Sequence, residues 1–246
     1  MRTLYGLSQS AWTEKARWAL DHHSVAYRYH EHVPLLGEVF LRAKARGRPK
    51  GTKASVPLLA DDHAAYCGSL AIARHADSIG RGEPLFPADR DDEATRWAEL
   101  SDRAIAAGRA RVLAGLRVNR EAQREALPPF VPGALRGLLA PMAATAAMFI
   151  GSKYDVSRDP DAEGAAVLRP AFDELRAALG GRPYLFGSFS FADIAMAASL
   201  QTLRVRKRSP LGPGTRAIWE NVALARDYED LLAWRDTLYA KHRPGG

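Results

Sequence analysis

Cysteine is nearly missing from this sequence: Cys67 is the only one in 246 residues. That excludes an internal disulfide framework and any metal cluster built on thiolates; no metal is expected as a cofactor. It also suits a reducing compartment. Low-complexity segments and internal repeats are absent. Long hydrophobic runs are scarce, and the longest uncharged stretch, residues 137–151, is interrupted by Pro141. It falls short of the roughly 20 apolar residues that span a bilayer. The expectation is a buried core helix, bent at the proline. Met1 leads straight into a strand-like run with no apolar segment of signal-peptide length. A soluble, cytoplasmic protein without a membrane partner is expected.

Acidic residues are outnumbered, 28 against 35 basic ones, leaving a net charge of +7. Basic side chains cluster in residues 42–50 and 204–208, and such clusters can hold a polyanion. Neither is interleaved with the aromatic rings on which single-stranded bases stack. Solvated loops or helix ends are the plainer reading, and nucleic acid is not an expected partner. What is present is ordinary: 47% hydrophobic and 26% charged residues, in a chain long enough for two domains.

The first eighty residues alternate strand and helix signals. Leu4, Tyr5 and Leu7 make a short apolar strand, and Trp12, Ala16, Ala19 and Leu20 mark one buried face of a helix. Val25, Tyr27 and Tyr29 alternate with Ala26, Arg28 and His30, the period of a half-buried strand. Residues 38–44 suit a short helix. Val56-Pro57-Leu58-Leu59 and Ala64-Ala65-Tyr66-Cys67 flank the turn Asp61-Asp62-His63 and predict a hairpin. A helix follows from Ser69 to about Gly80. Two glycines and two prolines punctuate residues 80–87 as a linker.

Beyond the linker the chain reads as helices over 93–118, 121–150, 162–179, 191–205 and 217–241. Ser190-Phe191-Ala192-Asp193 carries a serine N-cap with an acid three positions on, and Phe189 and Ile194 suit a hydrophobic staple across it. The domains are therefore expected at 1–80 and 91–246, joined by a linker at 81–90.

Four local patterns carry a family resemblance across essentially the whole chain. They are Leu4 to Leu20, Val56-Pro57-Leu58-Leu59, Gly68-Ser69-Leu70-Ala71-Ile72, and Tyr184-Leu185-Phe186-Gly187 followed by the Ser190 box. In this order they resemble the cytosolic glutathione transferases. The resemblance implies a thioredoxin-like α/β N-terminal domain and an all-helical C-terminal bundle. It further implies glutathione as co-substrate, a small hydrophobic electrophile, a homodimer and a role in detoxification. Relatives of this fold also include glutathione-dependent isomerases and dehalogenases, and adaptors without catalysis that bind protein or RNA, so fold alone does not choose the activity.

Glutathione chemistry needs a thiolate, and a free thiol near pKa 8.5 is only a few per cent ionised at neutral pH. A hydroxyl donating to that anion contributes roughly 1.5–3 kcal/mol, and a helix N-terminus about 0.3–1 kcal/mol. By resemblance Ser10, at the entrance to the first helix, is the catalytic residue; Ser8, Thr13 and Tyr5 are competitors, and helix capping is the plain alternative. Pro57 resembles a cis-proline that turns the Val56 amide and carbonyl towards the cysteinyl part of glutathione. Ser69 and the free amides behind it suit the γ-glutamyl carboxylate. Lys53, with Lys50, lies where a base meets the glycyl carboxylate. Where the family places an acid before that serine, this chain has Gly68; Asp102 of the partner subunit is one substitute. The electrophile pocket is expected between the halves, along the helix from Glu93, with Trp97 and Arg103 as candidates.

Overall fold

The computed structural model describes residues 1–33, 37–45, 54–127, 131–153, 159–207, 209 and 211–243. The elements of the first part are β1 (Thr3–Gly6), α1 (Ala11–His22), β2 (Arg28–Glu31), α2 (Glu38–Lys44), β3 (Leu58–Ala60), β4 (Ala65–Cys67) and α3 (Ser69–Ile79). The sheet runs in the order β2-β1-β3-β4. β1 is parallel to β2 and antiparallel to β3, and β3 and β4 form the expected hairpin.

Alternation along the strands sorts the sheet's two faces. Leu4 and Leu59 pack with Ala16 and Leu20 of α1 and with Ile72 and Ala76 of α3. Tyr5 and Leu58 turn to the other face, against Leu41 of α2 with Ala45 and Ala54. The β2 ladder begins at Arg28, later than the alternation alone suggests, but the burial pattern is kept. Val25 is buried and Tyr27 and Tyr29 half-buried, while Ala26, Arg28 and His30 are exposed.

The helical part comprises α4 (Asp91–Val118), α5 (Arg120–Glu125), α6 (Gly133–Lys153), α7 (Pro160–Leu179), α8 (Phe191–Ser199), α9 (Pro213–Trp219), α10 (Val222–Asp227) and α11 (Glu229–His242). The chain is thus a thioredoxin-like sheet-and-helix domain followed by a helical one. Periodicity merged elements that local chemistry separates. Within the expected helix 217–241, Asn221 accepts the Leu224 amide and starts α10 anew, and the expected helix 121–150 divides into α5 and α6. Asn119 caps α5, accepting the Ala122 amide, at the break already expected after residue 118.

The expectation of a buried helix over residues 137–151 is overturned. α6 forms with Pro141 inside it, yet only 17% of its apolar window is buried. Ala140, Ala143 and Ala147 face inward, whereas Leu138 is 76% exposed and Met142 60%. Its length and composition are those of a helix able to cross a membrane. The inward positions are small residues at helical spacing, so the packed face is a narrow alanine seam rather than the apolar whole.

Two compact units divide the contacts: Met1–Asp102 with Leu175–Ser199 and Trp234–Gly246, and Arg103–Glu174 with Leu200–Ala233. In the first, Trp18, Leu85, Phe191, Ile194, Leu238 and Tyr239 form one cluster, with Phe189 against it, so both members of the expected staple are present. In the second, the Tyr228 hydroxyl donates to Asp173 at 2.8 Å and its ring meets Phe172 edge-on. The Glu125 carboxylate there accepts the Gly214 and Thr215 amides at the start of α9.

Candidate functional site

The sheet register gathers the site residues at one edge. Tyr5 lies opposite Leu58, and Leu58 opposite Cys67. The C-terminal end of β1, the N-terminal end of β3 and the C-terminal end of β4 therefore coincide. Ser10 follows the first, Val56-Pro57 precedes the second, and Gly68-Ser69 follows the third. Glu31 closes the same edge, since β2 pairs it with Gly6. α1 and α3 both begin here, so two electropositive helix ends share this edge.

Of the three hydroxyls at the entrance to α1, Ser8, Ser10 and Thr13, Ser10 is the one left uncommitted. Its backbone has N-cap geometry, φ −82° and ψ 127°, but its side chain caps no amide. Thr13 is buried, and its Oγ1 accepts the Leu7 amide at 3.1 Å. The Ser8 hydroxyl donates to Glu31 Oε1 at 3.3 Å. Tyr5 packs edge-on against His30 and Phe40 on the far face of the sheet. The Ser10 hydroxyl makes no capping bond to the first turn of α1, so it stands beside the helix's electropositive end.

The Val56–Pro57 bond is cis. Val56 is half-buried and stands just outside the ladder, which starts at Leu58. The Pro57 carbonyl accepts the Gly68 amide at 2.9 Å, tying the start of β3 to the start of α3. Gly68, not Ser69, occupies the N-cap position of α3; Ser69 is the first helical residue and is buried. Gly68 has φ +87° and ψ 154°, a region that only glycine adopts freely. A side chain there would meet open space, so backbone conformation rather than crowding is what opposes one at this position. Lys53 and Lys50 lie outside the described residues.

Asp102, its side chain 47% exposed, pairs within its own chain with Lys15 of α1. Lys15 is fully buried and also donates to Ser101 Oγ at 3.2 Å, which in turn donates to the Ala195 carbonyl at 2.7 Å. Burial pulls the Lys15 pKa down, against the opposing pull of Asp102. At the other end of α1, Trp18 Nε1 donates to the His242 carbonyl and Arg243 pairs with Glu14 and Asp21. The helix that carries Ser10 is therefore anchored along its length. Trp97, 3% exposed under the Arg96 guanidinium, lines a separate cavity of about 320 Å³ with Arg90, Glu93 and Arg182. None of the residues of the sheet edge line that cavity.

Sequence reading missed Glu31 and Thr13 as partners of the loop. A glutamate closing an edge strand carries no signal until the register of β1 and β2 sets it beside residue 8. Nor does a threonine inside a helix until the loop folds residue 7 back onto it.

This arrangement has a family. The glutathione S-transferase N-terminal domain model matches residues 4–84, and the glutathione S-transferase C-terminal domain model matches residues 102–237. The chain belongs to the glutathione S-transferase family. No curated protein matches it. Among solved structures, FzlA from C. crescentus is similar at 19% identity and TM-score 0.58, covering 98% of this chain and 88% of that one. The glutathione S-transferase of Ceriporiopsis subvermispora, solved in complex with glutathione, is similar at 16% identity and TM-score 0.63, covering 98% and 97%. The β-etherase LigF from Sphingobium sp. strain SYK-6 is similar at 17% identity and TM-score 0.58, covering 97% and 95%. At these identities the similarity is one of fold.

Proposed function

We propose that this glutathione S-transferase family member ionises the thiol of glutathione with the Ser10 hydroxyl and directs the thiolate at a small hydrophobic electrophile. The observation that carries the reading is the uncommitted Ser10 hydroxyl at the mouth of α1. The tripeptide would lie along the sheet edge. Val56 would pair through its backbone with the cysteinyl part, beside the cis-Pro57, and Ser69 with the α3 amides would receive the γ-glutamyl carboxylate. Lys53 is proposed for the glycyl carboxylate.

Two carboxylates and a thiolate are anions, and two electropositive helix ends suit them without a formal base. A hydrogen bond to a charged acceptor, roughly 1.5–3 kcal/mol, together with a helix end, about 0.3–1 kcal/mol, supplies the roughly 2.7 kcal/mol that lowers a thiol by two pKa units. A homodimer in the cytoplasm, acting in detoxification, is the setting proposed with it.

The competing reading, a non-catalytic adaptor of the same fold, draws on Gly68, where no acid is available for the γ-glutamyl ammonium. Calorimetric titration with glutathione, paired with a conjugation assay on a generic electrophile, separates the two. Binding with turnover supports the enzyme. No heat at millimolar glutathione overturns it in favour of the adaptor.

A further inference from the structure

We propose that Glu31 is the positioning residue of the loop that presents Ser10. The inference rests on the function proposed above and adds to it a residue that touches neither the thiol nor Ser10 itself.

Four hydrogen bonds converge on the Glu31 carboxylate. The Ser8 amide donates to Oε1 at 3.0 Å and to Oε2 at 3.2 Å, the Ser8 hydroxyl donates to Oε1 at 3.3 Å, and the Tyr29 hydroxyl donates to Oε2 at 2.7 Å. Glu31 is the last residue of β2, so its backbone is held by the ladder opposite Gly6. The next amide, of His32, donates to the Gly6 carbonyl at 2.7 Å and extends that pairing.

The loop between β1 and α1 exposes Ser8 and Gln9. Its shape is set by its ties. Leu7 is tied to α1 through Thr13, and Ser8 is tied to the sheet through Glu31. The Ser10 amide donates back to the Leu7 carbonyl at 2.9 Å, so residues 7–10 close as one turn and move together. Releasing Ser8 frees one side of that turn and lets the Ser10 hydroxyl drift from the axis of α1.

The carboxylate is itself oriented. Arg17 of α1 lies 5.3 Å over the Tyr29 ring. Partial burial, then the neighbouring Glu31, push the Tyr29 phenol above its ordinary range, so it stays a proton donor to Glu31. A carboxylate has two accepting oxygens for these donors, whereas an amide has one. Glutamine should therefore keep part of the network and alanine none.

The test compares wild type, Glu31→Gln and Glu31→Ala by glutathione kinetics, by the ultraviolet absorbance of bound thiolate against pH, and by hydrogen exchange of the amides of residues 8–11 without ligand. Glu31→Ala is expected to raise the glutathione KM about tenfold, below the roughly 100-fold that a 1 Å misplacement can cost. It should also raise the bound-thiol pKa and speed loop exchange, with Glu31→Gln intermediate in all three. Kinetics and exchange both unchanged in Glu31→Ala would overturn the proposal. If wild type itself neither binds nor turns over glutathione, the enzymatic reading fails, while exchange still decides the tie: faster in Glu31→Ala supports it, unchanged overturns it.

Discussion

Ser190 Oγ donates to Asp193 Oδ2 at 2.7 Å, with both side chains fully buried. The Ser190 and Leu185 amides donate to the same carboxylate at 2.9 Å each. Burial outweighs these bonds and raises the Asp193 pKa from its ordinary 3.8 to about 6. A raised acid favours the protonated folded state. Its contribution is therefore complete below about pH 4 and is lost as pH rises through 6. At 1.36 kcal/mol per unit the loss is on the order of 3 kcal/mol. Denaturant unfolding of wild type and Asp193→Asn at pH 4 and pH 7 checks this: the variant should lack that part of the pH dependence. An identical slope in both would contradict it.

Replacing Ser10 by alanine removes the one uncommitted hydroxyl at the mouth of α1. If that hydroxyl supports a thiolate, the loss of roughly 1.5–3 kcal/mol lowers kcat/KM for glutathione conjugation about 10- to 100-fold. Ser8→Ala keeps the amide that reaches Glu31 and should stay within about threefold of wild type, since the net worth of a neutral hydrogen bond is small. Steady-state rates of the two variants decide between the serines; equal losses would count against Ser10.

Gly68 sits where backbone conformation rather than space is limiting. Gly68→Ala is expected to destabilise the chain by about 1–3 kcal/mol, the usual cost of a side chain in that region of φ and ψ. Thermal unfolding measures it. A variant as stable as wild type would show that the loop relaxes at no cost.

Leu138 and Leu200 are the same residue in opposite surroundings, 76% and 0% exposed. Leu138→Ala should change stability by no more than about 0.5 kcal/mol, and Leu200→Ala should cost about 2–5 kcal/mol. Chemical denaturation of the pair reports whether the outer face of α6 is uncovered in solution. A large loss at Leu138 would mean that something packs on it.

Much of the site is legible in the sequence, and for local reasons. The position of Ser10 just ahead of an apolar helical face marks a helix entrance, and the Val56-Pro57 and Gly68-Ser69 patterns mark where β3 and α3 begin. The uncommitted state of Ser10 is not legible there. It depends on Thr13 and Glu31 taking the neighbouring donors, and Glu31 lies 23 residues from Ser8. The exposure of α6 escapes the sequence for a related reason: an uncharged run states what a helix can bury, not whether a neighbour is there to cover it.

Short-range chemistry in the chain alone determined the alternation of Leu4 with Tyr5 and of Leu58 with Leu59, the spacing of Ala16 and Leu20, and the capping residues at Ser190 and Asp193. Hydrophobic period and cap chemistry act within a few residues, so they can be read one segment at a time. Only the folded molecule decided that Tyr5, Leu58 and Cys67 line up, that Lys15 claims Asp102, and that Glu31 holds Ser8. Those relationships join residues distant in sequence, and strand register with burial, which are properties of the whole packing, set who meets whom.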